Sequence, residues 1–371
     1  MLILIIALLV IIVLLSKIKL LYAIATFAFP NARFNALGNI YVNYSELEQL
    51  AALGSFRNAV DALASKHYPV KNMEKMTDIE RTVMLSELRS FRDAYETVPG
   101  SLRPVVKCYL LKWEIRYLKS IFAEKILKKS PAFRFGDGMP EIYLSAEIII
   151  TLKEAPTATD IFNILKKTRY SSKLKDLADG QAEIRYADIE QALDQVFYQE
   201  LNDLKSELPS SIAKPTRDFI NLTNDIANVK ILLRSKHIGL DPEGTKRLLH
   251  GPGRQLSAWR LTELAETHSV PELIQVLEGT PYHEILGKRL KSYSEHRDIS
   301  DLEAVIDTYY LNTIKNLSIE SSLTVGPALR FIISREYETR NLTALLRGMH
   351  LKEPNENIMK LTVYEKEISE I

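Results

Sequence analysis

Ser269-Val270-Pro271-Glu272-Leu273-Ile274-Gln275-Val276-Leu277-Glu278-Gly279-Thr280-Pro281-Tyr282 runs from a helix cap to an aromatic ring thirteen residues on, and the same span recurs from Ser55 to Tyr68 and from Thr157 to Tyr170. Within the three spans the apolar residues keep one set of offsets. They are Ala59, Val60 and Leu63, then Ile161, Phe162 and Leu165, then Leu273, Ile274 and Leu277. Offsets of four, five and eight mark one face of a helix. The leading Ser or Thr suits an N-cap, most clearly at Ser269, where Pro271 falls in the first turn and Glu272 at the capping-box position. Upstream, Leu47 and Leu50, Ile149 and Leu152, and Leu261 and Leu264 stand at matching distances before the caps. Each span therefore predicts a helix hairpin.

A second element lies between the hairpins. Glu114-Ile115-Arg116-Tyr117-Leu118 matches Glu338-Thr339-Arg340-Asn341-Leu342, with a weaker copy at Asp225-Ile226-Ala227-Asn228-Val229. The second and third copies continue as Ile231-Leu232-Leu233-Arg234-Ser235-Lys236 and Ala344-Leu345-Leu346-Arg347-Gly348-Met349. These matches predict an all-α chain built from three diverged copies of a long helix plus a hairpin. The divisions are an N-terminal apolar helix over 1–20 and lobes over 21–135, 136–245 and 246–371. Internal repeats bury their faces against neighbouring copies, so a curved or ring-like body with wide contact surfaces is expected before a deep catalytic cleft.

Composition agrees with a large helical protein. At 371 residues the chain can bury a substantial core, and its charged fraction of 26% with a net charge of +1 gives no reason to expect nucleic acid. The single Cys108 excludes an intramolecular disulfide and a cysteine metal knuckle, and points to a reducing compartment. It reads as a packed core residue rather than a nucleophile, because no neighbour in sequence would lower its pKa.

The N-terminus carries the other strong signal. Leu2 to Leu15 is an unbroken apolar run, including Leu8, followed by Ser16, Lys17, Ile18, Lys19 and more apolar residues to Phe29. As a helix the run spans about 21 Å, short of the roughly 30 Å hydrocarbon core of a bilayer. Snorkelling of Lys17 and Lys19, or extension toward Phe29, closes the gap. No basic segment precedes the run and no small-residue cleavage site follows it, which favours a retained anchor over a removed signal peptide. Lysines on its C-terminal side place the body on the cytoplasmic face. The alternatives are a greasy helix buried against the body or a mis-assigned start.

Long helices are predicted over Asn72–Thr97, Leu102–Lys129, Tyr186–Glu207, Lys214–His237, Leu286–Leu317 and Val325–His350. Breaks fall at Pro99-Gly100, Ser130–Pro140, Leu208–Pro215 and His250–Arg254. Ile148-Ile149-Ile150 is the one β-branched cluster, and its hairpin offsets argue for helix.

Several segments in order resemble a known family. Asn228-Val229-Lys230-Ile231-Leu232-Leu233-Arg234, His237-Ile238-Gly239-Leu240, Gly251-Pro252-Gly253-Arg254-Gln255-Leu256 and Leu277-Glu278-Gly279-Thr280-Pro281-Tyr282 resemble the C subunit of archaeal and bacterial A/V-type rotary ATPases, whose eukaryotic counterpart is the d subunit of the vacuolar proton pump. So do Arg335-Glu336-Tyr337-Glu338-Thr339-Arg340-Asn341-Leu342, Leu346-Arg347-Gly348 and Asn357-Ile358-Met359-Lys360-Leu361. The resemblance covers about Tyr22 to Tyr364. Residues 1–20 precede the usual family start, Pro252 looks inserted, and the first copy matches least. The resemblance implies a funnel of three pseudo-threefold helical lobes with no catalysis and no cofactor of its own. It implies a seat on the cytoplasmic end of a membrane proteolipid ring, a central stalk received in the bore, and through it an indirect link to the nucleotide-binding A and B subunits.

On that footing the candidate residues are partner contacts. Glu114 and Arg116, Asp225 and Lys230, and Glu338 and Arg340 stand at equivalent places and are expected to line one surface, unless they form interlobe ion pairs worth well under about 1 kcal/mol each. Arg234 and Arg347 fall near helix C-termini, where a cation is favoured. Asn228 and Asn341 match and suit bonds between helices. Tyr68, Tyr170 and Tyr282 are expected to close the hairpins with hydroxyls at the surface. The apolar helix, with Leu2, Leu8, Leu15, Lys17 and Lys19, is the lipid contact, either in surrounding lipid or as a peg in the ring lumen.

Enzyme motifs are not found. The sequence has no Gly-x-x-x-x-Gly-Lys-Ser/Thr phosphate loop, His283-Glu284 lacks a second His at metalloprotease spacing, and Glu295-His296-Arg297-Asp298 reads as a solvated helix face. Two other classes remain: a membrane-anchored helical scaffold unrelated to rotary motors, and an all-α enzyme with a pocket of convergent ionisable groups.

Overall fold

The computed structural model describes residues 2–66, 68–128, 141–179 and 184–366, apart from the side chains of 2–17, 19, 20, 176, 178 and 179. One helix, α1 (Leu2–Leu37), leads into a hairpin, α2 (Tyr44–Ala51) and α3 (Phe56–Ser65), and then into two long helices, α4 (Met76–Thr97) and α5 (Arg103–Leu127). The order recurs in a second hairpin, α6 (Ala146–Glu154) and α7 (Ala158–Leu165), followed by α8 (Ser171–Asp179) and the long helices α9 (Tyr186–Glu207) and α10 (Ala213–His237). After α11 (Pro242–Leu248) come a third hairpin, α12 (Ala258–Glu266) and α13 (Val270–Val276), then α14 (Pro281–Gly287) and α15 (Leu290–His296). The long helices α16 (Ser300–Glu320) and α17 (Gly326–His350) follow, and α18 (Asn355–Lys360) closes the described chain. Among the described residues there is no strand, only an isolated bridge between Asn43 and Glu365.

The hairpin caps form as the sequence predicts. Ser55, Thr157 and Ser269 accept from the backbone N–H three residues on, at 3.2, 3.2 and 3.3 Å, which satisfies one orphan donor of each helix. The reciprocal capping box forms at Thr157, where Asp160 accepts from the Thr157 N–H at 3.1 Å. At Ser269, where it is predicted, Glu272 instead accepts from the N–H of His268 at 2.7 Å.

Two predicted helix spans need correction. Asn72 adopts φ 63°, a left-handed turn, and so α4 starts at Met76 rather than Asn72. The stretch Leu286–Leu317 is not one helix. It breaks after Gly287 and again at Arg297, which caps α15 in the left-handed region with φ 55°. Its mixed-charge run Glu295–Asp298 hides that break from an apolar-period reading. The predicted break at Ser130–Pro140 and the 135/136 boundary lie outside the described residues.

The long helices come in pairs of 22 and 25, 22 and 25, and 21 and 25 residues, joined by residues 98–102, 208–212 and 321–325. Within each pair the helices pack together. Between pairs α5 packs on α9, α10 on α16, and α17 on α4, so the six helices close on themselves. Most of the core is one continuous cluster along these helices. A smaller cluster joins the first hairpin to the far end of the chain, with Leu47, Val60 and Leu63 against Leu342, Leu345 and Leu346.

Helix α1 docks through its second half. Phe27 and Phe34 are buried, Phe34 lies 4.8 Å from Phe331, and the Asn31 amide donates to the carbonyls of Ser322 and Thr324 at 3.0 and 2.8 Å. Further on, Asn341 donates to the Tyr41 carbonyl at 2.8 Å. From Asn31 to Tyr41 the chain therefore follows α17 in its own direction, and the part of α1 before Asn31 projects past the N-terminal end of α17. Among the described residues no helix is long and apolar enough to cross a membrane. The side chains on which the anchor expectation rests, Leu2, Leu8, Leu15, Lys17 and Lys19, lie outside the described residues.

Candidate functional site: the charged central cavity

All six long helices line one cavity of about 990 Å³. Lys112, Arg116 and Lys119 face it from α5, Lys230 and Arg234 from α10, and Arg340 and Arg347 from α17. Against these seven cations stand four lining carboxylates, Glu87, Asp194, Asp307 and Glu336.

The cations are tied across the seams between helix pairs. Lys119 reaches Asp194 at 2.8 Å between α5 and α9, and Lys230 reaches Asp307 at 2.9 Å between α10 and α16, where Arg234 also forks onto Glu303. Lys112 meets Glu336 at 2.8 Å between α5 and α17, and Arg347 pairs with Glu80 between α17 and α4. Asp307 is fully buried and shared by Lys230, Arg340 and the Tyr337 hydroxyl, the last at 2.7 Å. Burial disfavours its charge, yet Lys230 and Arg340 outweigh that and hold its pKa below the ordinary value. Glu336 is likewise penalised by burial and brought below its ordinary value by Lys112. Glu87 goes the other way. Burial pushes it up to about 7, because Arg116, at 3.5 Å, offsets only part of the desolvation.

The predicted contact residues thus divide. Arg116, Lys230, Arg234, Arg340 and Arg347 line the cavity, mostly as partners in ion pairs. Glu114, Asp225 and Glu338 do not line a surface: they are 0, 0 and 1% exposed. Glu114 accepts from the backbone N–H of Tyr143 and Leu144 at 2.8 and 3.0 Å and from the Tyr170 hydroxyl at 2.5 Å. Asp225 accepts from the N–H groups of Arg254, Gln255 and Leu256 at 2.9, 2.7 and 3.1 Å. Glu338 accepts from the Tyr68 hydroxyl at 2.6 Å and from Arg335 at 3.0 Å. Each acid fastens a long helix to the loop or hairpin that follows it, and Glu338, in the last long helix, fastens to the first hairpin. Burial raises Asp225 and Glu338 above their ordinary values despite these donors.

The hairpin tyrosines are corrected with them. Their hydroxyls point inward, to Glu338 from Tyr68 and to Glu114 from Tyr170, while Tyr282 is fully buried within the field of Asp225. At Tyr68 and Tyr170 the hydroxyl at +13 from the cap is a donor to a matched acid, which sequence offsets alone leave undecided. The backbone N–H groups of Arg254–Leu256, just after the Gly251–Gly253 turn, form a cradle already filled by Asp225. Gly253 is required there, since a Cβ would meet Asp225 Oδ1 at 1.9 Å and the Asn221 carbonyl at 2.8 Å. The Asn228 amide donates to the Gly251 carbonyl at 3.2 Å, and Asn341 donates to Tyr41 and Val363. Both asparagines hold loops onto long helices. Among the described residues no three His, Cys, Asp or Glu side chains gather as a metal site.

Lys112, Lys119, Glu87, Asp194, Asp307 and Glu336 were not among the predicted residues. Extending the repeat alignment by two and five residues finds some of them, since Lys112 and Glu336 each precede their matched acid by two, and Lys119 and Lys230 each follow theirs by five. Asp194 and Asp307 are found the same way, each standing 31 residues before the matched acid of its own helix pair, Asp225 or Glu338, while Glu87 has no such counterpart.

The described residues thus define an all-helical protein whose ionised side chains are tied as pairs around a shared cavity. Comparison with known proteins gives the particular family. Residues 30–361 match the family described as ATP synthase (C/AC39) subunit, and the chain belongs to it. Similar curated proteins are the C subunit of the A-type ATP synthase of Methanothermobacter thermautotrophicus, 26% identical over 91% of this chain and 87% of that one, and that of Methanocaldococcus jannaschii, 25% identical over 89% and 84%. The corresponding C subunit of Pyrococcus horikoshii is 25% identical over 92% of both chains. Residues 1–29, including the apolar run, precede the family match.

Proposed function

We propose that this chain is a non-catalytic central-rotor coupling subunit of an A/V-type rotary ATPase or ATP synthase. It links the membrane proteolipid ring to the central stalk and passes torque during ATP-coupled proton or sodium transport. The observation that carries this reading is the closed circuit of six long helices around a charged cavity, in a chain of the C/AC39 family. We read the circuit as three lobes of a funnel, each made of one long-helix pair with its hairpin. A torque-bearing part needs stiffness, and paired helices fastened at buried carboxylates and stapled by ion pairs at every seam supply it. In the same reading Arg116, Lys230, Arg234, Arg340 and Arg347 meet the stalk, exchanging or sharing their carboxylate partners.

The apolar start of α1 is proposed as an anchor on the cytoplasmic face of the membrane, in lipid or in the ring lumen. Its support is the sequence run together with the direction of α1, which leaves the body at the turn between α16 and α17, where Ile319 and Leu323 are exposed. The test is a gentle detergent isolation of the tagged full-length protein from its native membranes, with the co-purifying chains identified by mass spectrometry. Recovery of A and B subunits, stalk subunits and a proteolipid is expected; recovery of the chain alone or with unrelated partners overturns the reading in favour of a membrane-tethered scaffold. Deletion of residues 2–19 tests the anchor separately, and unchanged retention of the body on purified rings would sink it.

A further inference from the structure

Thirteen residues after each matched acid stands a large apolar residue, and all three are exposed: Leu127 after Glu114 (46%), Ile238 after Asp225 (72%) and Leu351 after Glu338 (70%). Each sits at the C-terminal end of its long helix, α5, α10 or α17. The next residue in every case is left-handed, Lys128 at φ 51°, Gly239 at 71° and Lys352 at 60°, so the three helices end by the same turn. The opposite ends of these helices contrast with them, since Leu102, Ile212 and Val325, at the three N-caps, are 0% exposed. Exposed apolar side chains scattered singly need no explanation, but three at one structural position do.

The three helices run the same way along the cavity. Lys112 of α5 and Glu336 of α17, each two residues before its acid, pair at 2.8 Å, and Ile238 itself lines the cavity. The exposed residues therefore lie at one mouth, about 20 Å along the helices from the acids. That mouth is remote from the first half of α1, which projects past the N-terminal end of α17. Its rim carries Arg234 and Arg347, more than half exposed although each is paired with a carboxylate, Glu303 or Glu80, and the lysines Lys128 and Lys352 just beyond the apolar residues.

We propose that Leu127, Ile238 and Leu351 form a three-point apolar seat that grips the end of a helical protein partner presenting apolar residues framed by carboxylates. This deepens the coupling reading and rests on it, with the central stalk as the partner. A seat contacting its partner at three places around an axis resists tilting, and the basic rim selects an acidic partner and speeds its arrival.

The test uses full-length protein in detergent and the purified central-stalk subunits of the same complex, with affinity read by biolayer interferometry. The triple variant L127S/I238S/L351S is expected to bind on the order of 100-fold more weakly or worse, as loss of three interfacial apolar side chains implies. Its melting temperature stays at the wild-type value, because none of the three side chains is buried. Trp259→Ser, which removes an exposed ring from α12, leaves affinity unchanged. Equal binding by the triple variant, or an equal loss in Trp259→Ser, overturns the seat while leaving the coupling reading intact. Failure of the wild-type chain to bind the stalk overturns both.

Discussion

Replacing Glu87 by Gln should stabilise the protein in alkaline solution and leave it nearly unchanged in acid. Glu87 lies on α4, 3% exposed, at the seam where the first long-helix pair meets α17. Arg116 and Lys112 of α5 and Glu336 of α17 face it. Burial raises its pKa from 4.5 to about 7, with Arg116 offsetting part of the effect. A group raised on folding favours the native state fully below its unfolded pKa, and that advantage is lost as pH rises through its folded pKa. Wild-type stability should therefore fall between about pH 4.5 and 7 through this one group. A shift from 4.5 to about 7 corresponds to about 3 kcal/mol.

Gln keeps the shape without the charge, and gives up a 3.5 Å contact with the partly exposed Arg116, worth at most about 1 kcal/mol. The expected net gain at pH 8 is about 2–3 kcal/mol, which for a chain of 371 residues unfolding cooperatively is about 3–4 °C in melting temperature. Thermal melts of both proteins at pH 5 and pH 8 provide the measurement. The same shift at both pH values, or destabilisation at pH 8, would refute the reasoning, because a packing effect has no reason to follow protonation of a residue it has removed.

Gly253→Ala forces the Asp225 carboxylate out of its cradle of N–H groups, and should cost about 2–4 kcal/mol in denaturant midpoint measurements. Asp307→Asn leaves Lys230 and Arg340 without the carboxylate they share, and a loss of about 3 kcal/mol or more is expected by urea unfolding at pH 7. Cys108 is buried with its thiol pushed up to about 12 by burial, so a thiol reagent at pH 8 should label it only after denaturant is added.

The local periodicities made much of the helical order readable. Ser55, Thr157 and Ser269 cap helices as their offsets imply, because a cap and its apolar face are decided within one turn. Glu114, Asp225 and Glu338 marked matching positions in the long helices, but whether a matched charge faces water or an interior loop depends on elements 29 to 270 residues away, as the Tyr143, Leu256 and Tyr68 contacts illustrate. The cavity pairs were hidden for the same reason: Asp307 repeats Asp194, each 31 residues before its matched acid, but its role comes from Lys230 on one neighbouring helix and Arg340 on another. Arg297 shows a further limit, since a left-handed residue of its type carries no breaker signal, whereas Asn72 is of a type that tolerates that region.

The packing of α17 on α4 gives the body the mechanics of a clasp. Two of its three seams are bridged by the running backbone, while the third is shut by noncovalent contacts such as Tyr68 on Glu338, 270 residues apart, and Lys112 on Glu336. Strain applied from inside the cavity loads all three seams, yet only the third can part without stretching a polypeptide link. That seam is therefore the first to spring under excess load.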